Sequence, residues 1–335
     1  MRVCFFARVD DRSLLERLEF YKQDIDILRQ LGYEVVIATR WREIPLDVEL
    51  YFIWWWQWGF LPMWKSLFRP RPCLITGTFD YRWTVGKADY FHRPCWQQWL
   101  MRYALRRADA NVFVSQLEFR EIGRGLRVTN PVYSPHVVDT DLFRPATQPR
   151  ENFALTVATM DRGNSFRKCF PEIIRAIPLV RAKNPDFRFI LAGQKGSDYP
   201  TLENLARELK IMDYVEFPGV ISRERKIDLM QRCKIYVSPS WYEGFGLTVL
   251  EAMSCGAPVV SSPVGAVPEV VGDTGLLVDG TSPEAIAGAV NSYLADDALR
   301  EEMGRRGRLR AETEFPYARR KRDLEKVISS LLRKA

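Results

Sequence analysis

Short apolar runs alternate with amphipathic segments along most of this chain, and that alternation restricts the fold more than any other feature. RVCFFA (2–7) precedes an amphipathic stretch over 14–31 that stops at Gly32, a residue suited to closing a helix. EVVIAT (34–39) and LYFIWWW (50–56) follow, then a helix-like 60–68 ended by RPRP (69–72). CLIT (73–76), a helical 96–107 and NVFVS (111–115) continue the pattern. Runs that are apolar throughout belong to strands buried on both faces, so the alternation specifies parallel sheets with helices packed on either side.

At PATQPREN (145–152) the chain turns polar, and the alternation then restarts. FALTVAT (153–159), FRFILAG (187–193), KIYVSPS (234–240) and APVVSS (257–262) read as strands. Helical segments over 169–182, 202–209 and 247–255 separate them. The expected division is residues 1–148 and 149–314, with a basic helical tail over 315–335 packing back towards the first domain. In open α/β sheets ligands sit beyond the carboxyl ends of the strands, so the strand-to-helix loops are where chemistry is expected.

Charge and residue usage narrow the function classes. A formal net charge of +7 favours anionic partners: phosphates, nucleic acid or an acidic membrane surface. The basic residues are dispersed without a recognised nucleic-acid motif, so nucleic acid is set aside. Six cysteines without a C-x-x-C pair, and only two histidines, argue for free thiols in a reducing compartment and against zinc. The first apolar run is too short for a secretory signal, and no segment has the uninterrupted apolar length of a spanning helix. A cytoplasmic protein, peripheral at most to the inner face of a membrane, is expected. No strand is followed by G-x-G-x-x-G, which weighs against a dinucleotide-dependent dehydrogenase. Asp24 and Asp26 form a D-x-D, but on a helix two residues apart they face different ways.

The most informative loop is SPSWYEGFGLTVLEAMSCGAPVV (238–260). A strand runs into a loop with Gly244, Phe245 and Gly246, and a helix opens at Leu247 and Thr248. Glycines let the backbone approach a ligand, and the opening helix turn offers unpaired amides with a positive dipole end. Phosphate is the natural occupant of such a site. Glu243 stands just before the glycines and Glu251 about one turn into the helix. Two carboxylates so placed suit two sets of sugar hydroxyls; taken alone, Glu251 reads better as a solvated helix residue.

This segment resembles the donor-binding region of retaining GT-B glycosyltransferases of the family 4 type. ILAGQKG (190–196), YVEFPGVIS (214–222), SSPVGAVPEVVGDTGLLVD (261–279), ADANVFVSQ (108–116) and SPHVVDTDLFRP (134–145) extend the resemblance, while residues 1–107 fit in pattern only. It implies two Rossmann-like domains facing a cleft. It also implies that Glu243 contacts donor-sugar hydroxyls and stabilises charge near the anomeric carbon, that Glu251 holds the ribose, and that amides around Gly246 hold the diphosphate. The family's basic pair falls in VATMDRGNSFRKCF (157–170), where Lys168 matches the lysine. Thr159 stands where arginine is usual, leaving Arg162 or Arg167 to supply that charge. A cation there offsets the negative charge gathering on the leaving diphosphate. The plain structural reading of Arg167 and Lys168 is a surface pair at a helix start.

Two features common in that family are missing: a glycine pair after the first strand, where the chain reads ARVDDRS, and a histidine after the fourth, where it reads CLITGTFDY. Asp80 is the candidate replacement contact, with a turn or helix-cap role as its alternative. His92 and His136 read as structural. In YFIWWWQWGF (51–60), Trp56 and Trp58 fall at the carboxyl end of the expected third strand. They are candidates to line the acceptor side against a sugar or lipid, or else simply to pack between helices. The resulting expectation is a metal-independent transferase with a UDP-, GDP- or ADP-sugar as substrate, no cofactor, and a glycan, glycolipid or small-molecule acceptor. The alternatives are a non-catalytic sugar-nucleotide-binding module and a sugar-nucleotide epimerase of the same fold.

Overall fold

The computed structural model describes residues 1–82 and 89–334. Its strands are β1 (Arg2–Ala7), β2 (Glu34–Ala38), β3 (Leu50–Trp54), β4 (Cys73–Gly77), β5 (Ala110–Phe113), β6 (Pro131–Tyr133), β7 (Glu151–Val157), β8 (Arg188–Ala192), β9 (Val215–Glu216), β10 (Cys233–Ser238), β11 (Val259–Ser261) and β12 (Leu276–Leu277). They form two six-stranded sheets, ordered β2-β1-β3-β4-β5-β6 and β12-β11-β10-β7-β8-β9. Every pairing is parallel. The fold is therefore the α/β arrangement that the alternation specifies. Contacts divide the chain into two compact units, Met1–His136 with Ala318–Ala335, and Val137–Tyr317.

In the first unit the central strands are apolar on both faces and buried, apart from the half-buried Arg2 that opens β1, with Phe5 stacked on Phe52 at 5.6 Å. The helix expected over 14–31 is two helices, Leu14–Arg17 and Glu19–Gln30, because Leu18 takes an extended conformation (φ −92°, ψ 117°). That break brings Phe20 and Tyr21 against Trp54, at 5.1 and 5.2 Å between ring centres.

The tryptophan-rich strand also ends earlier than expected. It stops at Trp54, since Trp55 adopts a left-handed conformation (φ 76°) while its amide bonds the carbonyl of Thr76 at 2.9 Å. Gly77 lies against Trp55; a Cβ there would meet Trp55 Cε3 at 3.2 Å. The turn redirects Trp56 into the core, so it does not line an open acceptor surface. Trp56 is 1% exposed, stacks on Phe113 at 5.0 Å, and donates its Nε1–H to Asn111 Oδ1 at 2.7 Å. A buried indole finding a polar partner in this way is a core anchor.

The last helix, Tyr317–Lys334, belongs from Ala318 onward to the first unit. Its Arg320, fully buried, makes a two-pronged pair with the equally buried Asp24 at 2.6 and 2.9 Å. In the second unit Arg150 has a comparable tying role, donating to the carbonyls of Gln231, Cys233 and Cys255 at 2.7–2.9 Å. Among the described residues no helix is long and apolar enough to cross a membrane.

Candidate active site

All the geometry that gathers around Glu243 lies in the second unit. β10 ends at Ser238, and the chain crosses a loop to the helix Leu247–Ser254. Gly246 caps that helix in a left-handed conformation (φ 93°, ψ 41°) and, having no side chain, bonds none of the opening amides itself. Those N–H groups carry the positive end of the helix dipole, which suits an anionic acceptor. Phe245, 3% exposed, packs edge-on against Phe315 at 5.8 Å and fixes the loop from beneath.

The second contribution comes from the loop after β7. Asp161 caps the short helix Arg162–Arg167 by accepting from the Asn164 amide at 3.0 Å. Lys168 follows, and the left-handed Cys169 (φ 51°) starts the next helix, Phe170–Arg181. Arg167 bonds the Tyr242 carbonyl at 3.0 Å and Asn164 Oδ1 at 2.6 Å, and its own carbonyl accepts from the Trp241 amide at 2.8 Å. Phe166 stacks on Trp241 at 5.6 Å. The two loops are thereby stitched together.

At their junction Lys168 Nζ and Arg167 Nη1 both bond Glu243 Oε2, the arginine at 3.1 Å. Lys168 is 7% exposed, so this is no surface pair. Burial by itself pushes the Glu243 carboxyl up, but the charges and hydrogen bonds of Lys168 and Arg167 outweigh it and hold the value at about 2. Burial likewise lowers Lys168 from its ordinary value, against the opposing pull of Glu243. Both cations use Oε2; among the described residues no group bonds Oε1. The outcome is an ionised carboxylate anchored through one oxygen, with the other free to accept.

Gly265 sets the backbone of Glu243. The Glu243 carbonyl accepts from the Ala266 amide at 3.0 Å. Gly265 is left-handed (φ 53°), and a Cβ on it would collide with that carbonyl oxygen. Nothing in the local pattern around Gly265 marks it as part of this site, since the close approach is between separate loops.

The other candidates fall in different places. Glu251 is 1% exposed and receives both hydrogen bonds from Lys226 Nζ, each at 2.9 Å, so it is no solvated helix residue. Lys226 also lies 5.1 Å from the Phe143 ring centre. Arg162 is exposed, and its amide bonds Ser197 Oγ at 3.2 Å; Arg167, not Arg162, reaches Glu243. In the first unit Asp80 is half-buried, its carbonyl accepting from the Tyr90 amide at 2.8 Å and its charge acting on Arg93. Trp58 is half-buried against Phe60, ring centres 6.1 Å apart. His136 is buried and stacked on Trp54 at 5.7 Å. Burial, then the charge of Arg320, hold it well below the ordinary histidine range. Among the described residues no cluster of three or more His, Cys, Asp or Glu is placed to hold a metal ion.

This arrangement can be set beside known proteins. The family model for glycosyl transferases group 1 matches residues 139–310. An O-antigen chain mannosyltransferase B of Escherichia coli is 35% identical over 163 residues, which are 48% of this chain and 42% of that protein. A GDP-mannose-dependent alpha-(1-6)-phosphatidylinositol monomannoside mannosyltransferase of Mycolicibacterium smegmatis is 32% identical over 251 residues, 68% of this chain and 65% of its own length. This chain thus matches less than two thirds of either relative. The structure of sucrose-phosphate synthase from Thermosynechococcus elongatus superposes over 100% of both chains with a TM-score of 0.82 at 20% identity. The fold is that of GT-B glycosyltransferases.

Proposed function

The chain belongs to the glycosyl transferases group 1 family, and from that premise we propose that it moves a hexosyl group from a nucleotide sugar to an acceptor hydroxyl. In this reading it is a family 4 type enzyme that retains the anomeric configuration and needs no metal. One observation carries the reading: Glu243 is ionised and anchored through Oε2 by Lys168 and Arg167, on the loop that leads into the uncapped helix at Leu247.

The donor diphosphate binds the amides around Gly246, Leu247 and Thr248. Lys168 and Arg167 offset the charge that gathers there as the bond from the anomeric carbon to the diphosphate breaks. They supply the positive charge that a metal ion would otherwise bring. Glu243 Oε1 accepts from donor-sugar hydroxyls and faces the positive charge developing near the anomeric carbon. The acceptor oxygen bonds to that carbon on the face the diphosphate leaves, and its proton passes to a leaving phosphate oxygen. No protein base is then needed, consistent with a histidine-poor chain. Glu251, oriented by Lys226, accepts from the ribose hydroxyls. Asp80 and Trp58 contact the acceptor in this reading.

Two experiments test this reading. UDP, GDP and ADP, all at one common concentration, should separate in a thermal-shift panel, and the one for which that concentration is about 100 times its Kd adds about 2.7 kcal/mol to the stability of the second unit. GDP-mannose is the first sugar nucleotide to try, because one relative carries that dependence in its name. If no nucleoside diphosphate shifts the transition, the donor site is wrong. Gly265→Ala, which forces the Glu243 carbonyl aside, should slow transfer by about 10²-fold through misplacement of roughly 1 Å. Unchanged turnover in Gly265→Ala would show that the backbone position of Glu243 does not matter.

A further inference from the structure

A cavity of about 590 Å³ opens in the first unit, beyond the carboxyl ends of β1 and β2, and is lined by Arg8, Arg40, Trp41, Arg42, Glu43 and Leu61. Its volume is ordinary for a small-molecule site, and its place is where α/β sheets hold ligands. Three arginines on two adjacent loops converge there, all exposed. Among the described residues Arg8 bonds only the Thr39 carbonyl, at a long 3.5 Å. None of the three has an ion-pair partner among the described residues.

Glu43, the one acidic group in the lining, does not neutralise them. Its Oε2 accepts from the Thr39 amide at 2.8 Å and the Thr39 hydroxyl at 3.1 Å. That carboxylate braces the turn that displays Arg40 and Arg42. A fourth cation, Lys65, stands over the Trp41 ring at 4.5 Å from its centre. Like charges gathered around a concave surface repel one another, and an anion relieves that repulsion while accepting several charge-assisted hydrogen bonds. The half-buried Leu61 and the 37%-exposed Trp41 add an apolar wall for the remainder of the ligand.

We propose that this cavity binds a phosphate group carried by the acceptor, held by Arg8, Arg40 and Arg42 with Trp41 and Leu61 against its uncharged part. The assignment to the acceptor rests on the transferase reading above, in which the donor occupies the other unit. The phosphate belongs either to a soluble phosphomonoester or to the headgroup of a lipid, and the two sources are separable.

The test uses the full chain and an Arg40→Gln/Arg42→Gln variant, both saturated with the nucleoside diphosphate that the thermal-shift panel selects, so that the donor loop is already filled. Glycerol 3-phosphate is titrated calorimetrically, with glycerol as the neutral control. Flotation is run with phosphatidylcholine vesicles and with equimolar phosphatidylcholine–phosphatidylglycerol vesicles. Binding of glycerol 3-phosphate but not glycerol, weakened at least about tenfold in the variant, supports a soluble phosphomonoester. Capture by the anionic vesicles alone, lost in the variant, supports a lipid headgroup. Equal binding by both proteins, or binding of neither probe, overturns the proposal. Nucleoside diphosphate affinity is expected to be the same in both proteins. Its absence from both would sink the donor reading instead, and the two failures are thus distinguishable.

Discussion

Glu243→Ala is expected to lower sugar transfer by about 10²- to 10³-fold, the scale on which a single preorganised electrostatic contact in a dry site acts. The loss falls on turnover more than on donor affinity, because the carboxylate faces charge that develops only as the glycosidic bond breaks. Glu243→Gln keeps the shape and an acceptor oxygen but removes the charge. If charge is what matters, Glu243→Gln matches the alanine variant, whereas a role confined to accepting sugar hydroxyls leaves it close to wild type. Lys168→Ala should also be slow, since Glu243 loses an anchor and the leaving group loses a cation. The pH dependence has a definite sign. A carboxyl depressed when folded contributes stability above its unfolded value and loses it only as pH falls through the folded value, here about 2. Turnover should therefore show no acid limb from Glu243 across the neutral range. Wild-type turnover in Glu243→Ala, with nucleotide binding intact, would remove Glu243 from the reaction.

The parts of this molecule that local residue patterns could reveal are those whose physics is local. Doubly buried parallel strands are apolar throughout, so β1, β3, β7, β8 and β10 stood out as runs. The strands β6, β9 and β12 are only three, two and two residues long and carry too few side chains to show a period. The helix at Leu247 was legible because glycines followed by an apolar helix have few other uses. The end of β3 was not, because the left-handed turn at Trp55 depends on Gly77 of the neighbouring strand making room for the indole. The same holds at the site. Glu243 and Lys168 could be named from residue type and position, but their shared oxygen and the pairing of Glu251 with Lys226, 25 positions away, arise only when separate loops meet.

Asp24 is the extreme case, set aside in the sequence as half of a meaningless D-x-D, while its partner Arg320 lies 296 positions later. Both side chains are fully buried. Arg320 also donates to the Ser134 carbonyl at 2.8 Å and to Thr76 Oγ1 at 3.3 Å, joining the last helix to the helix Glu19–Gln30 and to β4. Removing one partner of such a pair strands the other charge away from water, so Arg320→Ala should destabilise the first unit by about 3–5 kcal/mol. Most of that is the penalty on the orphaned Asp24 and not the attraction itself. Asp24→Leu/Arg320→Met removes both charges together and should therefore recover much of the loss. Because the chain has two compact units, a single global unfolding curve is a poor measure. Hydrogen exchange read peptide by peptide resolves the first unit by itself. The expected pattern is faster exchange in the helices Glu19–Gln30 and Tyr317–Lys334, with nucleotide affinity in the second unit unchanged. Exchange in Arg320→Ala indistinguishable from wild type would mean that the pair merely fills space. A double variant no better than the single would mean that the hydrogen bonds to Ser134 and Thr76, and not the buried charge, hold the terminal helix in place.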